Sequence, residues 1–213
     1  MAITALRAVS FAVLSAVALQ CLAAARQWRF DVTADGVPIG THQYAVDEND
    51  GTRSVESEAH FRVRLMLVDA YRYEHRATER WQNDCLAQLD SHTEERDRVT
   101  DVKGRLAANH FNIDGAAGHT ELPACVMTFA YWNPNVLKQS HLVNAQTGAW
   151  TPVTTKTLGP DVIDVRGQPT NANHYRIRTE KNQIELWYAA DGGEWLAMRT
   201  TTREGHTLAY RLH

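Results

Sequence analysis

The chain has 213 residues, 44% of them hydrophobic and 22% charged, with a formal net charge of −3 at pH 7. Its acidic and basic residues are interspersed rather than blocked, which excludes the basic stripe of a nucleic-acid binder and the polybasic patch that seeks an anionic membrane. The length fits one ordinary domain with a sizeable core.

Residues 1–25 read as a secretory leader. Arg7 is their only charged side chain, an apolar run from Ala8 to Leu22 follows, and Ala23, Ala24 and Ala25 place small residues at the cleavage positions. A retained membrane anchor is the competing reading, because the apolar run approaches spanning length, although Ser10, Ser15 and Gln20 interrupt it. Gln20 is bulky where a lipid-modified cysteine needs a small neighbour, so Cys21 is discarded with the leader. Cleavage after Ala25 leaves a mature region, 26–213, whose charge is −4, the −3 of the whole chain less the positive charge of Arg7. Its expected location is periplasmic or secreted.

Cys85 and Cys125 remain after cleavage. In an oxidising compartment an even pair points to a disulfide; the alternative is two small buried thiols. Their spacing matches neither a thioredoxin-like nor a zinc motif.

In chain order, Trp28 to Thr33 alternates apolar with polar residues and ends at the turn Asp35-Gly36, and Ile39 to Val46 returns. Val55 to Leu65 shows the cleanest alternation, with Val55, Ala59, Phe61, Val63 and Leu65 on one face and Glu56, Glu58, His60, Arg62 and Arg64 on the other. Tyr71 to Trp81 follows, carrying Tyr71, Tyr73, His75, Ala77, Glu79 and Trp81 on one side. The residues between these strands, Leu65 to Val68, are apolar where a hairpin favours Gly, Asn or Asp.

Cys85 to Thr93, Val99 to Lys103 and, after Gly104, Leu106 to Ile113 continue the series. The period then changes between Glu121 and Ser140. Cys125 to Tyr131 reads as a short helix or a buried connector, and Asn133-Pro134 has the form of a helix cap with proline at the first position. Short strands at Leu142 to Ala145, Trp150 to Thr157 and Val162 to Val165 follow, with a break at Gly159-Pro160. From Asn173 to Leu212 a meander closes the chain, its inward row formed by Tyr175, Ile177, Ile184, Leu186, Tyr188, Leu196, Met198, Leu208, Tyr210 and Leu212. The expected fold is all-β and mainly antiparallel, a single domain over 26–213. About ten or more twisted strands cannot stay flat, so the sheet should curl into a half-barrel or barrel-like sandwich with one short helical insert near 121–140.

Tyr131-Trp132-Asn133, Leu142 to Gly148 with its Thr147-Gly148 turn, Ala172 with Tyr175, Leu186-Trp187-Tyr188 and the ending from Gly205 to Leu212 together resemble an uncharacterised family of secreted bacterial proteins. In architecture the meander is distantly similar to the half-barrels of periplasmic lipoprotein carriers. The resemblance implies a fold and supplies no catalytic residues.

Several residues invite chemistry. His75 and Glu79 share an apolar strand face with Tyr71, Tyr73 and Trp81, as an acid/base pair or ligand anchor would, or as partly covered residues reaching water or each other. Trp132 beside Asn133 reads either as the mouth of a small-molecule pocket or as an anchor beside a cap. Trp187 and Trp195 flank Asp191-Gly192-Gly193 on the face opposite the main apolar row. Ten histidines are scattered without zinc-ligand spacing, and no nucleophile elbow or phosphate loop is present. The leading expectation is therefore an exported non-enzymatic protein that holds an apolar or amphipathic small molecule, such as a lipid, through Tyr71, Tyr73, His75, Glu79, Trp132 and Asn133. No cofactor, metal or nucleic-acid partner is expected. The alternatives are an assembly module using the Leu65 to Val68 turn, with an unknown protein partner, and an enzyme built on His75 and Glu79.

Overall fold

The computed structural model of the chain describes residues 25–65, 68–203 and 205–213, with side chains in 64–70 outside the description. The expected leader, all but its last residue and including Cys21, the expected apolar turn around Met66 and Leu67, and Glu204 therefore lie outside the described residues.

The alternating residues form the strands they imply. The first series is β1 (Arg26–Ala34), β2 (Val37–Asn49), β3 (Thr52–Leu65), β4 (Val68–Gln82), β5 (Cys85–Glu95), β6 (Arg98–Leu106), β7 (His110–Gly115) and β8 (Gly118–Pro123). After a connector come β9 (His141–Val143), β10 (Trp150–Pro152), β11 (Thr154–Val165), β12 (Gln168–Arg178), β13 (Asn182–Ala189), β14 (Trp195–Thr202) and β15 (Thr207–Leu212). Thirteen strands join in one antiparallel sheet in the order β11-β12-β13-β14-β15-β1-β2-β3-β4-β5-β6-β7-β8, and β9 and β10 make a separate hairpin. β1 pairs with β15, so the two halves of the meander meet in the middle of the sheet, while β8 and β11 form its edges. The sheet is curled and not closed.

Residues 124–153 carry the chain from one edge to the other and lie within the curl. The expected helix is a single 3-10 turn, Pro134–Lys138, capped by the Asn133 side chain, which accepts from Asn135 N at 3.0 Å. Cys125 to Tyr131 is not helical, because its backbone bonds outward to neighbours. The Leu86 amide donates to the Val126 carbonyl, Phe129 donates to Val143, and Val143 donates to Met127. Val126, Met127, Ala130, Trp132, Val136, Leu142 and Val143 are buried in the same core as Phe30, Leu89, Phe111, Ile177 and Leu186 from the wall. The Cys85–Cys125 disulfide ties the start of the connector to the start of β5.

Three local readings change. Gly104 does not break a strand; it lies inside β6, where an added Cβ would meet the Phe111 ring at 2.5 Å, so its missing side chain is what lets that aromatic sit on the sheet. Gly159 and Pro160 lie within β11 at a register shift rather than ending it, since a positive φ of 108° is open to glycine there. Another register shift, between Trp187 and Tyr188, moves Trp195 onto the main core, 4.3 Å from Phe30, and turns Leu196 outward beside Trp187. Strict alternation across that turn had placed both the other way round.

The disulfide closes a loop of 40 residues, for which loop entropy gives about 4 kcal/mol of stabilisation. Replacing Cys85 and Cys125 together by serine is expected to lower the melting temperature by about 10 °C, read by calorimetry. A fall below about 2 °C would contradict the connector's being fastened there.

Candidate functional site

The inward face of β2 to β5 carries the polar residues of the interior. Across the register, His42 on β2 stands opposite Ala59 on β3, Ala59 opposite His75 on β4, and His75 opposite Thr93 on β5. Both imidazoles are buried; His42 Nε2 lies 2.8 Å from Ser57 Oγ, and His75 Nδ1 lies 2.8 Å from Thr93 Oγ1. His42 Nδ1 is buried without a hydrogen-bond partner. Ala59 is the small residue between the two imidazoles.

Aromatic rings border that position. His42 stacks on Tyr44 at 4.3 Å and meets Phe61 and Tyr210 edge-on or tilted at 6.4 and 5.8 Å. Phe61 stacks on Tyr73 at 5.2 Å, and Tyr73 lies 6.3 Å from His75. Trp195 bridges Tyr44 and Tyr131 at 5.3 and 5.6 Å, so the connector contributes one wall. Tyr44 and Tyr131 are half-buried by area, yet burial raises both phenol pKa values far above the ordinary range. The part of the concave face over Ala59 that these rings border is the candidate chamber.

Tyr71, Tyr73 and His75 thus come together on one side of this chamber. Tyr71 stands at its rim, half-buried, with its hydroxyl donating to Glu95 Oε1 at 3.1 Å and the Arg96 guanidinium 5.5 Å from its ring. Glu79 is further along the same strand face. Its Oε2 accepts from Trp81 Nε1 at 2.9 Å, and no hydrogen bond joins it to His75. Trp132 and Asn133 are at the opposite end: Trp132 meets Trp81 edge-on at 5.4 Å, and Asn133 Nδ2 donates to Asp84 Oδ1 at 3.0 Å. Asn135 and Arg53 also bond Asp84, so this end is fastened rather than open. His42, Tyr44, Tyr131 and Tyr210 were not among the candidates. The signal for His42 was its place two residues before Tyr44 in an inward row.

Open depressions occur elsewhere on the molecule. One of about 380 Å³ crosses β2, β3 and β4 beside Gly40, Phe61, Arg62 and Tyr73, and one of about 360 Å³ adjoins Val37, Pro38 and Val63. Thr41, His60, Arg62, Arg72 and Glu74 line the first and Arg62 the second, so both belong to the outer side of β2 to β4. Among the described residues no three His, Cys, Asp or Glu side chains gather to hold a metal ion.

Residues 30–213 match the family described as domain of unknown function DUF6134. The chain belongs to this family. No curated protein matches. Among solved structures, the crystal structure of a beta-barrel-like protein of domain of unknown function DUF1849 from Brucella abortus is similar, with a TM-score of 0.67 and 10% identity. The likeness covers 89% of this chain and 95% of that one, and at such identity it is a likeness of fold.

On the outer face of β11 to β14 lies a second polar group. Glu185 is buried between Arg176, at 2.8 Å, and Arg199, while His174 stacks on Trp187 at 4.3 Å and the indole donates to Asp161 at 2.8 Å. Burial pushes the Glu185 carboxyl up, but the bonds from Arg176 and Arg199 override it and hold it below the usual range. Its charges pair among themselves, as in a structural ion network.

Inside, burial acts without such compensation. It drives His42 down to about 3, reinforced by His75, and His75 down to about 4, reinforced by His92, so both imidazoles are neutral at pH 7. Burial pushes Glu79 up to about 7, opposed by Thr128, whose hydroxyl approaches without a well-formed bond, and by Trp81. The folded state therefore holds the Glu79 proton more tightly than the unfolded chain, and this carboxyl lowers stability as pH rises from about 4.5 to about 7. The histidines act oppositely, weakening the fold as pH falls below 6.5. Glu79→Gln removes only the carboxyl contribution. In urea melts the variant should gain about 2 kcal/mol on the parent between pH 5 and pH 8. An unchanged difference would show Glu79 to be solvated.

Proposed function

We propose that this chain is an exported, non-enzymatic protein that holds an apolar or amphipathic small molecule in the aromatic chamber. The supporting observation is the convergence of Phe61, Tyr73, Tyr210 and the two buried histidines on the inward face over Ala59, with Tyr131 of the connector beside Trp195. Such a mixture, mostly aromatic with a few convergent polar atoms, is the usual composition of a small-molecule site. Export is supported by the leader-like first 25 residues and by the disulfide, which suits an oxidising compartment. No described helix is long and apolar enough to cross a membrane.

The fastened position of Trp132 and Asn133 moves the reading away from that end and onto the Tyr71, Tyr73 and His75 end. His75 and Glu79 each satisfy separate partners, which gives no support to a shared acid/base role. Extraction and mass spectrometry of protein purified from the periplasm should recover a lipid or similar molecule at near-stoichiometric amount. Ala59→Trp fills the space between His42 and His75 and should abolish that recovery, with far-ultraviolet circular dichroism confirming that the variant is folded. An empty parent protein that also fails to bind the neutral probe N-phenyl-1-naphthylamine contradicts the proposal.

A further inference from the structure

We infer that the chamber selects a neutral amphiphile, one whose polar end is a hydroxyl or carbonyl rather than a carboxylate, phosphate or ammonium group. The inference rests on the binding reading above and specifies its ligand. It is carried by the identity of the polar atoms that face the space.

Those atoms are phenols and imidazoles. Tyr131 and Tyr210 donate no hydrogen bond to any described residue, although Tyr210 is buried and Tyr131 half-buried. His42 Nδ1 is a third polar atom without a partner, on a residue only 8% exposed. Of the three only the His42 Nδ1 atom is itself buried, and a buried imidazole nitrogen is nearly always hydrogen-bonded in folded proteins, so it marks where a ligand's polar atom fits, with the two phenols beside it. Phenols donate well to a carbonyl or hydroxyl oxygen, and a neutral imidazole offers either a donor or an acceptor according to its tautomer. Tyr131, Tyr210 and His42 are therefore suited to an uncharged head.

A charged head finds no counter-ion. The charged neighbours of the chamber are Glu95 and Arg96 at the rim, already engaged with Tyr71, and Glu79 toward the fastened end, engaged with Trp81. From β2, β3 and β5 the inward groups facing the histidines are Tyr44, Ser57, Ala59 and Thr93, and from β15 Tyr210, none of them ionic at neutral pH. A carboxylate or phosphate moved there from water loses its hydration and meets only dipoles, and the nearest ionisable groups of the wall are acidic. An ammonium meets neutral imidazoles, and the two carboxyls of the wall are already bonded, Glu95 to Tyr71 and Glu79 to Trp81. The basic residues of this region, Arg62 and Arg72, project from the opposite face of β3 and β4.

The test compares decanol, decanoate and decylamine, which share a ten-carbon tail and differ in the head. Calorimetric titration into the mature chain with its disulfide intact, at pH 6, where Glu79 is mostly protonated and both histidines are neutral, should give decanol at least about tenfold tighter than either charged compound. Tyr210→Phe keeps the ring contacts with Phe30, Phe61 and His42 and removes only the hydroxyl. It should weaken decanol several-fold, narrow the preference over decanoate, and leave the melting temperature within about 2 °C. Equal or tighter binding of decanoate or decylamine overturns the inference while leaving the binding reading intact. Binding of none of the three overturns both.

Discussion

A curled antiparallel sheet presents a concave apolar face, and the fold depends on covering it. Here the cover is the chain's own connector. Because β8 and β11 are opposite edges of one sheet, the segment between them must cross the molecule, and it does so through the concavity. Its irregular backbone could not be buried unless its polar groups were met. The bonds from Leu86 to Val126, from Phe129 to Val143, from Ala116 to Thr147 and from Ser91 Oγ to Ala145 meet them. Gly115 allows this contact, since a Cβ there would lie 2.5 Å from the Thr147 carbonyl.

The chamber proposed as the binding site lies at the end of the concavity away from the Asp84 bonds. At one end Trp81, Trp132 and the Asp84 bonds to Asn133 and Asn135 fasten connector to wall. At the other end the space over Ala59 is bounded by rings from β1 to β4, from β15 and from the connector itself. Two consequences follow from burial alone: the histidines there are held neutral, and Glu79 is held partly protonated near pH 7. Around the two histidines the interior is thus polar without being ionic, whereas the outer Glu185 cluster is ionic and self-compensated.

Much of this was legible in the sequence. Period-2 alternation located the strands, and the inward row on β4 was read correctly from Tyr71 to Trp81, because one-sided burial fixes register strongly. The Asn133 cap was legible for a similar reason, a local side chain-to-backbone bond followed by proline. What alternation could not reveal were the places where it is interrupted. The shift between Trp187 and Tyr188 reverses Trp195 and Leu196, and no residue type at that turn announces it. Gly104 looked like a break because its role, accommodating Phe111, depends on a neighbouring strand. Likewise, that Tyr44, Tyr131 and Tyr210 approach one another is a property of the curl, which brings β2, the connector and β15 together. His42 was readable as inward but not as unpaired.

The account stands on the connector being part of the cooperative core rather than a loosely seated loop. Native-state hydrogen exchange tests this most directly, since the amides of Leu86, Phe129 and Val143 bond between connector and wall or within the connector, while those of Leu186 and Ile177 belong to the sheet. The account predicts that all five exchange only through global unfolding, with the same free energy and the same response to denaturant. Exchange of Phe129 and Val143 orders of magnitude faster than Leu186, by local opening insensitive to denaturant, would contradict it.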